Sequence, residues 1–274
     1  MNATIRVDLS GGASVSLRAV GADDDAFVLD TAEAMLPAPR ANALIARCMV
    51  GRAVPADALT VGDREAILLH LRRLTFGDSM ACLLPCPNPS CGEQLQVSVD
   101  VSDLLVPRAE STTGRVRVDS AGATFDVSFR LPTAADLDAT AADAVGDPDD
   151  AALALLARSL LHADRDGEAV DAQDLPEEVR AAVAAAMAER DPQAEVSMTM
   201  RCPECGRQFS SLFDAAAFLL RELEARAART LREVHVLAQH YHWSEADILR
   251  MPAQRRARYI ELIHESRGRR RISQ

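Results

Sequence analysis

Two short stretches decide the fold of this chain: Cys86-Pro-Asn-Pro-Ser-Cys91-Gly92 and Cys202-Pro-Glu-Cys205-Gly206. Each places one cysteine before a proline-containing turn and a second cysteine before a glycine. A glycine there permits the left-handed turn that aims backbone N–H groups at sulfur. Structural zinc sites use four such ligands. The two stretches therefore predict one structural Zn²⁺ with Cys86, Cys91, Cys202 and Cys205 as ligands.

The two halves of this site differ in spacing and lie far apart in the chain. Four residues separate Cys86 from Cys91, a wider spacing than in the second half but within the range of zinc sites. The alternative is two unrelated surface turns with free thiols, which would have no packing reason to exist. The other two cysteines, Cys48 and Cys82, have apolar neighbours and are predicted to be buried thiols.

The two half-sites divide the chain into four parts of an α+β protein that is mainly helical, with β-hairpins, a split four-cysteine zinc ribbon and a C-terminal helical unit. Residues 1–80 are predicted to hold an N-terminal hairpin plus helices, and residues 81–108 with 196–214 the split ribbon. Residues 109–195 form an inserted α+β subdomain that leaves and returns at neighbouring points. Residues 215–274 form a C-terminal helical docking unit.

Local patterns predict the elements of the first two parts. Apolar alternation over residues 4–20, broken by Gly11-Gly12, is typical of a hairpin. Two helices are predicted in "DDDAFVLDTAEAMLP" and "PRANALIARCMV", and a third in "LTVGDREAILLHLRRLTFGD". Thr60 caps the third helix and Gly77 ends it.

The inserted part is predicted to begin with a hairpin that turns near Ala121-Gly122. The acidic stretch "DLDATAADAVGDPDD" predicts a helix plus a loop. Two further helices, in "AALALLARSLLHA" and "LPEEVRAAVAAAMAER", are joined by "DRDGEAVDAQD". This joining stretch is predicted to be a solvated acidic loop rather than a calcium loop, because it lacks the glutamate at the twelfth position.

After the second half-site, helical spacing continues for about seven turns, and two short helices follow, the first capped by Ser244 and the second opened by Pro252. Trp243, the single tryptophan, is expected to fix the hinge between the long helix and the first short one. His235 is expected on the apolar side of the long helix, and His240 and His242 at its end. A packed or helix-end role for these histidines is favoured over metal binding or catalysis.

Composition excludes several classes of protein. The net charge of −11 argues against a chain that wraps nucleic acid over its whole surface. No apolar run is long enough for a membrane span, and the N-terminus lacks the apolar segment of a signal peptide. The chain is therefore expected in the cytoplasm when it is made. No nucleophile elbow, phosphate loop or distinctive carboxylate pair is present, so the sequence predicts no enzyme.

One basic patch, near the C-terminus, offers a partner surface. Arg255, Arg256 and Arg258 are expected on the exposed side of one helical turn, next to Tyr259, and Arg267 and Arg269 to Arg271 follow. Such a run can be a solvated face, a nucleic-acid contact or a dock for an acidic partner. A zinc ribbon beside it keeps a nucleic-acid-binding regulator open as the alternative function.

With these pieces in order, the chain resembles the baseplate protein family of T4-like contractile tails, whose hub-assembly members have relatives in phage-tail-like injection clusters. The resemblance runs from Leu59 to Leu262. It is carried by the stretches "LTVGDREAILLHLRRLTFGD", "CPNPSCGEQLQVSVDV", "FRLPTAADL", "MRCPECGRQFSSLFDAAAFL" and "EVHVLAQHYHWSEADILRMPAQRRARYIEL". The first cysteine pair is wider than the tight CPxCG expected of the family, which bears most on Cys86.

The resemblance implies a non-enzymatic protein that helps to build the baseplate or its central hub. Its partners would be other baseplate or hub proteins. It would act in the cytoplasm during assembly or be incorporated in the tail or injection particle. The partner-binding residues expected on this basis are Arg255, Arg256, Arg258 and Tyr259.

Overall fold

A computed structural model of the chain describes residues 4–51, 54–141 and 146–272, with side chains described as far as residue 265. The chain divides into two compact units. One comprises Met1–Val20 and Glu33–Leu219, and the other comprises Gly21–Ala32 and Leu220–Gln274. The prediction for residues 142–145 and the side chains of Arg267 and Arg269 to Arg271 lie outside the described part.

The strands of the described residues pair antiparallel and form small sheets. The strands are β1 (Thr4–Asp8), β2 (Ser14–Arg18), β3 (Met49–Val50), β4 (Ser79–Pro85), β5 (Gln94–Asp100), β6 (Thr113–Ser120), β7 (Ala123–Arg130), β8 (Leu160–Arg165), β9 (Glu168–Ala169), β10 (Ser197–Arg201) and β11 (Gln208–Leu212). The α+β class predicted from the sequence is confirmed.

The helices in the described part include short helices that connect other elements and one very long helix. They are α1 (Ala22–Asp30), α2 (Pro37–Cys48), α3 (Val61–Phe76), α4 (Val101–Leu104), α5 (Ala134–Thr140), α6 (Pro148–Ser159), α7 (Glu177–Arg190), α8 (Ala215–Tyr241), α9 (Glu245–Leu249) and α10 (Ala253–Ile272). Helix α10 has 20 residues and is therefore longer than the short helix predicted there.

The first unit is built around α3, whose ends follow the sequence signals. The Thr60 side chain accepts a hydrogen bond from the Asp63 backbone N–H, which satisfies one of the free donors of the first turn. Gly77 ends the helix with φ of 94°, a conformation that favours glycine. The predicted N-terminal hairpin, β1–β2, turns at Gly11 and Gly12 and is confirmed.

Residues 109–195 contain a four-stranded sheet, in the order β6-β7-β8-β9, with α7 packed on it. Its core holds Phe125, Val127 and Phe129 from β7 and Val179 and Val183 from α7. The predicted β6–β7 hairpin and the helix α7 are confirmed.

Two predictions for the insertion are wrong. The helix predicted through residue 163 ends at Ser159, because residues 160–165 pair with β7 as strand β8. Residues 164–169 of the predicted loop "DRDGEAVDAQD" form a hairpin instead, in which β9 pairs with β8 around a turn at Asp166 and Gly167, both with positive φ, although most of the stretch is exposed to solvent as predicted. Pairing with an existing sheet edge has overridden local helix propensity.

Two side chains that follow α7 connect the end of the insertion to neighbouring segments. Asp191 Oδ2 accepts the backbone N–H of Gly62, at the start of α3, at 2.9 Å. The Gln193 amide accepts from the Val106 N–H at 2.8 Å and donates to the Leu104 carbonyl at 3.2 Å. Both side chains are buried, so buried hydrogen bonds connect the end of the insertion to α3 and to the segment that follows α4.

The second unit consists of α1 and the C-terminal helices from Leu220 onward. Within it, Arg226 of α8 forms an ion pair with Asp25 of α1 at 2.6 Å. Ser244 caps α9 by accepting the Asp247 N–H, as predicted. The core of this unit is formed by Val234, Leu237, Ile248 and Ile263.

Candidate metal centre

The first cysteine pair lies on the turn that joins β4 to β5. The Cys86 N–H donates to the Glu93 carbonyl, and the Cys91 N–H donates to the Asn88 carbonyl, both at 2.9 Å. Gly92 has φ of 68°. The backbone N–H groups of Asn88 and Glu93 point at the sulfurs of Cys86 and Cys91. The wider spacing between Cys86 and Cys91 is therefore accommodated within a hydrogen-bonded turn.

The second pair lies on the turn that joins β10 to β11 and repeats this pattern. The Cys202 N–H donates to the Arg207 carbonyl at 2.9 Å, and the Gly206 N–H donates to the Cys202 carbonyl at 3.0 Å. Gly206 has φ of 71°, close to that of Gly92. The Arg207 N–H points at the Cys205 sulfur. Two hairpins of different loop length thus present their cysteines in the same way.

The fold brings all four predicted ligands together. Their Sγ atoms lie within 4.8 Å of one another. The Cys86 and Cys205 sulfurs are 3.6 Å apart, and the Cys91 and Cys202 sulfurs are 3.8 Å apart. These distances are far longer than a disulfide bond, which is about 2.05 Å. A tetrahedron with Zn–S bonds of about 2.3 Å has sulfur–sulfur edges of about 3.8 Å, so the donor set fits a tetrahedral metal ion.

The electrostatics of the cluster favour a bound cation. The backbone N–H of Arg207, the Asn88 side chain and the neighbouring thiols lower the pKa of Cys205 to about 6. At Cys91 the Glu93 N–H lowers the pKa, but burial and the three other cysteines outweigh it and raise the pKa to about 12. The Cys205 thiolate therefore forms more easily than those of Cys86 and Cys91, whose pKa values are both raised. A divalent cation supplies the charge that lets all four thiols ionise.

Only a small apolar core supports the two hairpins. Leu95, Val97, Met200 and Phe209 pack around the buried Cys86 and Cys202. A core of this size contributes little to stability, so cross-linking by a metal would determine the geometry of the ribbon. Across the part of the chain that the structure describes, no other group of three or more Cys, His, Asp or Glu side chains is close enough to hold a metal.

The remaining cysteines and the histidines lie outside this centre. Cys48 and Cys82 are buried, as predicted. The expectation that His235 lies on the apolar side of α8 is wrong, because the residue is exposed. His240 is exposed as well, and His242 follows the end of α8 in the left-handed region with φ of 56°.

The predicted partner-binding residues lie on two different faces of α10. Arg255 is exposed, and the Arg258 side chain is 62% exposed. The expectation that Arg256 shares this exposed side is wrong. Its side chain is 11% exposed and donates to Glu233 Oε2 of α8 at 2.7 Å and to the Met251 carbonyl at 2.8 Å.

Tyr259 lies in an aromatic cluster with Trp243 and Tyr241. Its ring centroid is 4.9 Å from that of Trp243, and the Trp243 ring stacks on Tyr241 at 4.5 Å. Arg256 and Tyr259 therefore hold α10 against α8, while Arg255 and Arg258 face solvent. The inward role of Arg256 depends on the helix register, which the arginine run itself does not specify.

Fold and site together define an α+β protein organised around a split four-cysteine ribbon, with an insertion between the two halves of the ribbon. The family model of the T4 bacteriophage base plate protein matches residues 10–220, which include both halves and the whole insertion. The chain belongs to this family. No curated protein and no solved structure matches the chain. In the described residues, no helix is long and apolar enough to cross a membrane.

Proposed function

We propose that this chain is a non-enzymatic protein that builds the baseplate, or the baseplate hub, of a contractile phage tail or of a phage-tail-like injection system. The observation that carries the proposal is the family match over residues 10–220. Its partners would be other baseplate or hub proteins. It would act in the cytoplasm during assembly or be incorporated in the finished particle.

The four-cysteine cluster would hold one structural Zn²⁺. The sulfur–sulfur distances of 3.6 and 3.8 Å support this assignment, since they match a tetrahedral site with four thiolate ligands. With four protein ligands the metal has no open position for substrate. Its role would be to fix the two hairpins against each other and so to hold both ends of the insertion.

Helix α10 would be a docking surface for an acidic partner. Arg255 and Arg258 are solvent-exposed and can meet carboxylates in bidentate fashion. Arg256 and Tyr259 would support this surface indirectly, because their contacts with α8 and Trp243 fix the orientation of α10. The Arg258 guanidinium also pairs with the exposed Glu261 at 2.8 Å, and surface pairs of this kind exchange at little cost.

The nucleic-acid alternative has less support from the same contacts. Arg256 is engaged by Glu233, and Arg258 is shared with Glu261 and Glu265. Among the described residues of α10, Arg255 is the one arginine that is exposed and has no acidic partner, which suffices for an ion pair with a protein partner but is little charge for the several phosphate contacts of a nucleic acid. Nucleic-acid binding depends on such charge, and its affinity falls steeply with salt.

Deletion of the gene in the strain that carries it tests the proposed function. We expect sheath and tube proteins to be made at normal levels while baseplates and complete particles are absent by electron microscopy. Expression of the wild-type chain from a plasmid should restore the particles. Normal particle yield in the deletion strain would contradict the proposal. A changed level of sheath and tube transcripts would favour the regulator instead.

Metal removal tests the structural role of the zinc. A strong chelator is expected to lower the melting temperature of the full-length protein, and added Zn²⁺ should restore it, since a ligand that binds only the folded state stabilises it. Cys202→Ser should abolish the response to the chelator. Cys48→Ser is the matched control, because Cys48 is a buried thiol outside the cluster. The chelator should still lower the melting temperature of this variant.

A further inference from the structure

Strand β6 (Thr113–Ser120) lies at the edge of its sheet. Its eight residues pair with β7 on one side, and in the described part of the chain no strand pairs with its other side. It is the longest edge strand among the described sheets. A long edge of this kind presents a row of backbone groups to which another strand can bond.

The turn between β6 and β7 determines which backbone groups lie on this edge. The turn has two residues, Ala121 and Gly122, both with positive φ, and the pair Ser120 and Ala123 closes it. The closing pair of such a hairpin is hydrogen-bonded, and bonded and non-bonded pairs alternate from there along the strands. The backbone N–H and C=O groups that point away from β7 are therefore those of Arg115, Arg117 and Asp119.

Two observations agree with this assignment. Thr124, which pairs with Asp119, directs its backbone carbonyl to the β8 side, where the Asp166 N–H donates to it at 2.9 Å. Among the described residues, no hydrogen bond reaches the backbone N–H or C=O groups of Arg115, Arg117 or Asp119. The edge of β6 is therefore unpaired along these alternate residues.

The two faces of β6 are also incompletely covered. On the apolar face, Val116 and Val118 are half-buried, whereas Val127 in the neighbouring strand is fully buried. On the other face, the side chains of Arg115 and Arg117 are 70% and 73% exposed. A further strand beside β6 would cover the two valines and bring new partners to the charged face.

The exposed face of β6 carries both signs of charge. Arg115 donates to Asp126 in bidentate fashion, with one contact at 2.6 Å. Arg117 lies 3.7 Å from the same carboxylate, which is longer than a hydrogen bond. Asp119 is exposed and accepts the Thr124 hydroxyl at 2.7 Å, and none of the described cations pairs with it. Arg117 and Asp119 thus retain charge for a pairing partner.

We propose that β6 pairs antiparallel with β6 of a second copy, about a two-fold axis at Val118, so that Arg117 of each copy lies opposite Asp119 of the other. The two sheets then become one continuous sheet. The contact is isologous, because both copies use the same surface. The inference goes beyond the proposed function and depends neither on the metal nor on the place of the chain in a baseplate.

The charge pattern selects this partner and this register. Unpaired N–H and C=O groups at a sheet edge are satisfied by another strand, and β6 is self-complementary when the pairing is centred on Val118. Centring on Arg117 would place this arginine opposite its own counterpart, and centring on Val116 would place Arg115 opposite Arg117. Like charges directly opposite each other destabilise a strand pair.

Sedimentation velocity of the full-length protein tests whether the pair forms. A contact through one pair of strands is small, and small interfaces are weak. We therefore expect the average mass to rise from monomer to dimer as the protein concentration increases, and to rise no further. Arg117→Pro removes one outward N–H without breaking a bond to β7, because proline lacks this donor and is tolerated on edge strands. This variant should stay monomeric with an unchanged far-UV circular dichroism spectrum.

Charge reversal separates strand pairing from a general effect of charge. Arg117→Glu places acidic side chains opposite each other, Asp119→Arg places basic ones opposite each other, and each should weaken the dimer about tenfold or more. A mixture of these two proteins restores opposite charges at every pair, as does the double variant that carries both changes, and both should associate like the wild type. Arg165→Glu is the control. It makes the same change in charge on an exposed residue of β8, which lies inside the sheet, and should not affect association.

A cysteine at the axis tests the register. Val118 of the two copies would form a non-hydrogen-bonded pair, whose Cα atoms are about 4.5 Å apart and thus within the range of a disulfide. After oxidation by dissolved oxygen, Val118→Cys should give a cross-linked dimer on a non-reducing gel. The wild type should not, and neither should Val116→Cys, because residue 116 would face residue 120 of the second copy.

Three results would overturn the inference in solution. They are a wild-type protein that stays monomeric at all concentrations, an Arg117→Pro protein that associates normally, and reversed proteins that do not associate when mixed. Cross-linking through Val116→Cys as efficient as through Val118→Cys would also overturn it, because the register would then be different.

Discussion

Replacement of Gly62 by alanine tests how the end of the insertion is fixed to α3. A Cβ atom at this position would lie 1.8 Å from Asp191 Oδ1 and 2.5 Å from Asp191 Cγ. The carboxylate must therefore move away, and the Gly62 N–H loses its acceptor at 2.9 Å. The Asp191 side chain is in turn left inside the unit without this donor, because the residue is 5% exposed.

The size of the effect follows from these contacts. A buried polar group left without its partner costs about 1–3 kcal/mol. The higher helix propensity of alanine offsets this loss of stability by less than about 1 kcal/mol. A net loss of about 2 kcal/mol would lower the melting temperature by about 4–8 °C, at the 2–4 °C per kcal/mol usual for a unit of this size.

Differential scanning calorimetry of Gly62→Ala, Asp191→Ala and the double variant measures this loss and its cause. If the clash is the reason, Gly62→Ala should be neutral or mildly stabilising when Asp191 is already alanine. Gly146→Ala is the matched control, since nothing lies within 4 Å of its Cβ position and its φ is not positive. An equal loss from Gly62→Ala in both backgrounds would refute the reasoning.

Three further substitutions test the rest of the fold. Trp243→Ala should lower the stability of the C-terminal helices by about 2–3 kcal/mol, less than for a fully buried tryptophan, and urea unfolding followed by helix content measures this. Arg256→Ala should cost about 1–3 kcal/mol because it leaves a partly buried carboxylate unpaired, whereas the exposed Arg255→Ala should stay within about 0.5 kcal/mol; equal losses would exclude the inward role of Arg256. The Asp136 side chain is 3% exposed, and burial raises its pKa, but hydrogen bonds from Arg130 and other groups outweigh burial and hold the pKa below its usual range. The folded-state pKa is thus depressed, so the stability that Asp136 contributes is present above the unfolded pKa of about 3.9 and is lost as pH falls below it. The difference in the free energy of unfolding between the wild type and Asp136→Asn should therefore be constant near neutral pH and shrink below about pH 4.

The sequence specifies the hairpins and the two cysteine turns well because their signals are local. Positive φ at Gly11, Gly92 and Gly206 follows from turns that only a few residues allow. The Thr60 cap follows from side-chain chemistry within one helical turn. The two half-sites could be joined because four similar cysteines in matching turns have few other structural uses.

What the sequence could not predict depends on contacts between distant residues. Residues 160–163 continue an Ala- and Leu-rich helix pattern, and only the free edge of β7 makes them a strand. The Arg226–Asp25 ion pair joins residues 201 positions apart. The contacts of Asp191 and Gln193 are likewise long-range, so no local pattern indicates that these side chains connect the end of the insertion to neighbouring segments.

Native mass spectrometry of the full-length protein measures most directly whether a metal joins the two halves of the ribbon. We expect one Zn²⁺ per chain in the wild type, and in Cys82→Ser as well, because Cys82 is buried outside the cluster. We expect Cys86→Ser, Cys91→Ser, Cys202→Ser and Cys205→Ser each to lose or weaken the bound metal. A folded wild-type protein that carries no metal would contradict the structural role of the cluster, and zinc content unchanged in all four variants would contradict these ligands.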